Sequence, residues 1–165
     1  MERSSLAEYL NNFLRRGEEC AYIQRRGYRT ERWSYRQVAE TAFQFARELE
    51  TRSIGKGARV LLWGPNSAEW VAVFFGCVLR GAVVVPMDDA AAPDFALRVS
   101  QQVSARLVVC SRSHMRPSTD TLVLEDLRAT LLQHSSAPYK PADIAPQDTL
   151  ENVFTSGPVS VYSVP

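Results

Sequence analysis

The feature that most constrains the fold is the run from Arg59 to Pro86, RVLLWGPNSAEWVAVFFGCVLRGAVVVP, where two short apolar stretches flank a longer one. Val60 to Trp63 has strand length and stops at Gly64 and Pro65, residues that interrupt strands. A helix is expected next, because Asn66 or Ser67 can accept a hydrogen bond from a free first-turn amide and Glu69 follows Asn66 at capping-box spacing. From Trp70 to Leu79 the residues are apolar on nearly every helical face, with Trp70, Val73, Phe74, Cys77 and Val78 on one side and Val71, Phe75 and Leu79 over much of the rest. Such a helix is buried on more than one side. Arg80 suits the negative end of the helix dipole and Gly81 the left-handed position just beyond it. Ala82 to Val85 then reads as a second strand, closed by Pro86. Arg80 and Gly81 also divide the run, and neither part reaches the roughly 18 to 20 apolar residues that a bilayer span requires. Strand, helix and strand at this spacing predict a right-handed parallel crossover.

A chain of 165 residues is long enough for one domain with a sizeable core. Its net charge of +1 argues against general electrostatic attraction to nucleic acid or to a membrane surface. Cys20, Cys77 and Cys110 are far apart in apolar surroundings, without metal or disulfide spacing, and read as reduced core residues of a cytoplasmic protein. The opening MERSSLAEYL contains acids and no apolar signal region.

Ahead of the central unit, Leu6, Tyr9, Leu10, Phe13 and Leu14 recur at helical spacing and Gly17 ends the helix. Cys20 to Gln24 and Tyr28 to Trp33 predict a β-hairpin. Its arginines, Arg25, Arg26, Arg29 and Arg32, alternate with aromatic residues, which fits a hairpin with one solvated face better than a nucleic-acid surface. Ser34 and Gln37 form a capping box, followed by the apolar stripe Val38, Ala39, Ala42, Phe45, Ala46 and Leu49. Gly55, Lys56 and Gly57 precede a strand; a phosphate-binding glycine run follows one, so this run is a turn.

After Pro86, Asp88 and Asp89 lie in a loop at the carboxyl end of a strand, where α/β proteins often bind ligands. No histidine is near them in sequence, which favours a solvated loop or helix start over a metal or acid/base pair. Pro93 and Asp94 open another helix, with Phe95, Val99 and Val103 facing inward. Leu107 to Cys110 and Leu122 to Leu124 are further strands, and Leu127 to Leu132 a short helix. His114 and His134 stand apart from each other and from any cysteine or carboxylate cluster, which suits surface or cap roles. Ser135 to Gln147, with three prolines, is a loop. The fold class expected is α/β: a partial doubly wound parallel sheet with flanking helices, preceded by an amino-terminal helix and β-hairpin.

Several separate motifs carry a family resemblance: Trp33-Ser34-Tyr35; Ile54-Gly55-Lys56-Gly57 leading into Val60; Gly64-Pro65-Asn66-Ser67 with Glu69-Trp70; Arg80-Gly81-Ala82-Val83 to Pro86; and Phe154-Thr155-Ser156-Gly157. Together they resemble the opening of the adenylate-forming, AMP-binding superfamily, nearest to the long-chain acyl-CoA synthetases. The resemblance implies an ATP- and magnesium-dependent ligase that converts a carboxylic acid, here a fatty acid, to an acyl-adenylate and passes the acyl group to coenzyme A. It covers about Glu18 to Gly157, only the amino-terminal portion of such an enzyme.

The resemblance assigns Thr155, Ser156 and Gly157 to the start of a phosphate-holding loop. Polyphosphate demands converging amide donors, a cation and a metal. Pro158 has no amide to donate, Val159 and Val161 resist left-handed turns, and no lysine follows. Only two of the nineteen basic residues are lysines, Lys56 and Lys140, and neither lies in that loop's context. Residues 1–157 are therefore expected to be an incomplete amino-terminal part of an AMP-binding domain. Residues 158–165 read as an atypical tail, such as a truncation or frameshift leaves. The expectation is a ligase fragment inactive alone, with no assigned catalytic residue and with ATP, Mg and coenzyme A implied by family but not bound strongly. The alternatives are a residual nucleotide-binding module and an interaction or regulatory fragment that docks on an intact homologue or on the missing remainder of the enzyme.

Overall fold

A computed structural model describes residues 6–114, 120–154 and 162–164 of the chain. In chain order it has α1 (Tyr9–Arg16), β1 (Cys20–Arg26), β2 (Arg29–Ser34), α2 (Tyr35–Thr51), β3 (Arg59–Trp63), α3 (Ala68–Arg80), β4 (Val83–Met87), α4 (Pro93–Gln102), β5 (Leu107–Cys110), β6 (Thr121–Val123), α5 (Leu127–Leu131), β7 (Glu151–Val153) and β8 (Tyr162–Val164). β1 and β2 form the expected hairpin, and the remaining strands form one sheet in the order β6-β5-β3-β4-β7-β8. β6 to β7 run parallel, while β8 pairs antiparallel with β7. The α/β expectation is met.

The crossover from β3 through α3 to β4 forms because its residues divide cleanly between the two sheet faces. On one face Val60, Leu62, Val84, Leu107 and Val109 pack on Val73 and Cys77 of α3, Phe45 and Leu49 of α2, and Leu127 and Leu131 of α5. On the other, Leu61, Trp63, Val85 and Met87 pack on Ala96 and Val99 of α4. A second layer lies outside the sheet, where Leu10, Val38, Ala39 and Ala42 meet Ala72 and Leu79. That is why α3 is apolar on several sides: one side faces the sheet and another faces α2. Full burial of each large side chain contributes about 1.5–3 kcal/mol.

Of the two cap candidates, Ser67 caps α3, its hydroxyl accepting from the Trp70 amide at 3.1 Å, and two local expectations are corrected. Glu69 makes no capping box; it is buried and accepts from Arg26 Nη2 at 2.7 Å and from Gln24 Nε2 at 3.0 Å, which ties the hairpin to the start of α3. Likewise β4 does not close at Pro86 but continues to Met87. Val84 donates its amide toward β7, and alternation along the strand turns position 86 the same way. β7 pairs with β4 only at Val84↔Glu151, so the donor that proline lacks is not required there.

The loop from Ser135 to β7 is as irregular as expected, but it is held down. Arg47 donates to the carbonyls of Ser135 and Ala137, both at 2.8 Å, and Lys56 pairs with Asp148 at 2.6 Å. His134 is not isolated: its Nε2 lies 2.6 Å from Glu48 Oε2, and Arg52 Nε lies 2.7 Å from Glu48 Oε1. Burial acts to raise the Glu48 pKa, but hydrogen bonds from His134 and Arg52 and their positive charge outweigh it and hold the carboxyl below its ordinary value of 4.5. A carboxylate with a folded-state pKa below its unfolded one stabilises the fold fully above the unfolded value, and that stabilisation is lost as pH falls through the folded one. Melting temperature is therefore expected to drop on acidification below the ordinary glutamate range. His134→Ala should move that acid limb to higher pH, measured by thermal melts at stepped pH; an unmoved limb would remove Glu48 as its cause.

Candidate functional site

β3, β4 and β5 end level with one another, at Trp63, Met87 and Cys110. α3 leaves β3 over one face of the sheet and α4 leaves β4 over the other. Adjacent strands whose connections depart to opposite faces leave a crevice at their carboxyl ends, the usual ligand position in open α/β sheets.

Three loops meet there. Gly64 follows β3 where space is tightest: a Cβ on it would come 2.8 Å from Leu124 Cδ1 and 3.3 Å from the Ser111 amide. After β4, Asp88 Oδ1 accepts from the Ala90 amide at 2.8 Å, closing the turn that leads to α4. After β5, the Ser111 amide donates to the Trp63 carbonyl at 2.9 Å, and the Ser111 and Ser113 hydroxyls lie 2.8 Å apart.

The sequence offered no histidine for these acids, yet the fold supplies one. His114 Nε2 lies 2.9 Å from Asp89 Oδ1, and its ring stacks on Trp63 with centroids 3.9 Å apart and planes 6° from parallel. His114 thus joins the loops after β4 and β5 over the end of β3. Trp63 is buried, and its Nε1 has no hydrogen-bond partner among the described residues. Burial raises the Cys110 thiol pKa to about 11, helped by the charge of Glu125, and burial alone pushes Cys77 higher still. Both remain protonated thiols, as inert core cysteines do, but the reading of Cys20 as a third core residue is corrected: it is exposed, at the start of β1.

Beside these loops opens a cavity of about 610 Å³ lined by Met87, Asp88, Ala91, Phe95 and Phe154, among others. Among the described residues its lining is apolar apart from one acid, with no arginine or lysine. Among the described residues no group of three or more histidines, cysteines and carboxylates is placed to hold a metal, and no helix is long and apolar enough to cross a membrane. Thr155, Ser156 and Gly157 lie outside the described residues; Phe154, immediately before them, lines the cavity. Lys56 sits before β3 at the opposite edge, about 16 Å away across the strand's five residues. Its ammonium is engaged by Asp148 and by the Asp143 carbonyl. This cavity can receive an apolar group, but among the described residues its lining offers no cation for a polyphosphate; the arginines nearest the loops after β3 and β5, Arg25 and Arg26, line a separate hollow with Asn66, Ser67 and Ser111.

Known proteins are similar to this chain in sequence and in fold. A long-chain-fatty-acid–CoA ligase of Mycobacterium tuberculosis is 30% identical over 139 residues, which is 76% of this chain and 27% of that protein. A pyochelin synthetase of Pseudomonas aeruginosa is 31% identical over 126 residues, 76% of this chain and 7% of that protein. The crystal structure of a fatty acyl-adenylate ligase from L. pneumophila, in complex with acyl adenylate and pyrophosphate, superposes with a TM-score of 0.78 at 22% identity, covering 97% of this chain and 30% of that one. This chain therefore spans a minor part of each relative's length. The family model described as AMP-binding enzyme matches residues 12–158, most of the sequence, and the chain belongs to that family.

Proposed function

We propose that residues 1–157 are the amino-terminal part of the AMP-binding domain of an adenylate-forming acid ligase, and that residues 158–165 stand where the rest of its phosphate loop would run. The reaction of such a ligase joins a carboxylic acid, by this reading a fatty acid, to AMP with release of pyrophosphate. The acyl group is then transferred to an acceptor, coenzyme A in the ligase reading, and the setting is cytoplasmic. In that reaction this chain would supply Thr155, Ser156 and Gly157 as the start of the loop that holds the phosphates. ATP and Mg would supply the leaving group and the countercharge.

By itself the chain neither holds Mg-ATP tightly nor turns over. The observation that carries this reading is that, among the described residues, no cation lines the cavity beside Phe154, together with Pro158 directly after Gly157 in the sequence. Asp88 would repel an anion there, and proline at 158 removes an amide donor. The test is calorimetry of the chain with Mg-ATP, run beside pyrophosphate release with a panel of fatty acids. The expected result is neither binding nor release from a folded sample. Binding at millimolar affinity or tighter, or any turnover, would overturn it.

A further inference from the structure

The loops after β4 and β5 are joined by one pair of side chains. His114 Nε2 lies 2.9 Å from Asp89 Oδ1, and His114 is the only partner that Asp89 has among the described residues. The two sides of this bridge are held unequally. On the β5 side the Ser111 amide donates to the Trp63 carbonyl and the His114 amide to the Ser111 carbonyl, both at 2.9 Å. A single turn of 3₁₀ helix, Arg112–His114, thereby carries the imidazole to the end of β3 and lays it on the Trp63 indole. On the β4 side Asp88, Asp89 and Ala90 are exposed, and the turn bonds to itself: the Ala90 amide donates to Asp88 Oδ1 and the Ala91 amide to the Asp88 carbonyl. The hydrogen bond that ties this turn across the crevice is the one to His114. Asp88 and Ala90, on either side of Asp89, line the cavity of about 610 Å³, so the same bond fixes part of its wall.

We propose that Asp89, His114 and Trp63 form a proton-operated clasp, which draws the β4 loop over the crevice when the imidazole is charged and releases it when the imidazole is neutral. Histidine is the side chain that changes charge between about pH 5 and 8. A neutral ring keeps a hydrogen bond to Asp89, but a protonated one makes an ion pair as well, with charge on both members. Trp63 holds the ring in place, and holds a cationic ring more firmly than a neutral one, so the charge is delivered at Asp89. A proton shifts an equilibrium only by its different interaction with the two arrangements, and the ion pair exists only in the closed one. The clasp therefore tightens as pH falls through the histidine range, and is lost again where carboxylates take up protons. On the elements that meet here the other charged groups are Asp88, held by the Ala90 amide, Asp94 and Arg98 of α4, and Arg112, whose guanidinium pairs with Asp126 and whose amide donates to Glu125. Of all these groups only His114 is bonded to Asp89. Asp89 is half exposed, so water screens the pair and the expected effect on loop opening is about three- to tenfold.

The test takes the full chain from about pH 8 to about pH 5.5, across the histidine range, with two readouts. Amide hydrogen exchange, expressed as protection factors so that the intrinsic effect of pH is removed, should show Ala90 and Ala91 gaining about three- to tenfold. Tryptophan emission should fall, because an imidazolium against an indole quenches it. In His114→Gln, which keeps a donor and cannot titrate, both changes should vanish. In Asp89→Asn the quenching should remain, since the stack is untouched, while the gain in protection disappears. Asp89 is exposed, so this variant keeps the test available if His114→Gln does not fold. The chain's other histidine, His134, lies against Glu48 and is present in every variant, so it produces no difference among them. Protection indifferent to pH in the parent chain, or rising equally in either variant, would overturn the proposal, and so would quenching that survives His114→Gln. These readouts are made without ligand, so their failure is separate from a failure of the ligase reading.

Discussion

Phe45→Ala is expected to destabilise the protein by about 3–5 kcal/mol, a large fraction of the roughly 5–15 kcal/mol that a domain possesses. Phe45 is completely buried between α2, α3 and the sheet, so its removal loses apolar burial and leaves a cavity. The ring is also what makes glycine necessary at position 76. A Cβ on Gly76 would come 2.7 Å from Phe45 Cδ1, 3.1 Å from Phe45 Cβ and 3.0 Å from the Ala42 carbonyl oxygen. Gly76→Ala alone therefore overpacks the α2–α3 contact, at a cost of about 1–3 kcal/mol. In the Phe45→Ala background the shortest of these contacts, to the ring Cδ1, is gone, while those to the Cβ of residue 45 and to the Ala42 carbonyl remain. Urea denaturation of the two single variants and the double variant should show a double-variant loss smaller than the sum of the singles by about 1 kcal/mol, as expected of residues in direct contact. Simple additivity would mean that α2 and α3 do not approach at Gly76.

Arg26→Leu is the second large effect, expected to cost about 3 kcal/mol. Glu69 is only 2% exposed, and its carboxylate is held by Arg26 and Gln24. Removing the guanidinium leaves a buried negative charge with one neutral donor, and an uncompensated buried charge is far more costly than a paired one. Replacing both members, Arg26→Leu with Glu69→Leu, should recover most of the loss, because no charge then remains to be desolvated. If Arg26→Leu alone melts like the parent protein, the hairpin is not anchored to α3 through this pair.

How much was legible in the residues differs from element to element. The crossover from Val60 to Val85 could be read because apolar runs, a glycine stop and a capping serine act locally, within one or two turns of chain. The hairpin, the capping box at Ser34 and Gln37, and the helix opening at Pro93 were legible for the same reason. The capping box is present, with the Gln37 amide donating to Ser34 Oγ at 3.2 Å and the Ser34 amide donating to Gln37 Oε1 at 3.0 Å. β7 was not legible: Glu151, Asn152 and Val153 carry little strand propensity, and they pair because Val84 offers an open edge.

The candidate site was the least legible part. Asp89 and His114 are distant in sequence, as are Glu48 and His134, and nothing in the spacing of either pair announces a contact. Parallel β4 and β5 both flank β3 and end level with it, which brings the loops after Met87 and Cys110 together over Trp63. Glu69 shows the same limit in reverse: its position suggested a local cap, and the docked hairpin claimed it instead. By itself, then, the sequence determined the fold class, the order of the elements as far as α5 and the family motifs, because periodicity, capping and turn chemistry depend on neighbours along the chain. Only the tertiary structure decided which charged groups are paired and where the carboxyl-end crevice lies, because those depend on strand order and on which loops it brings together.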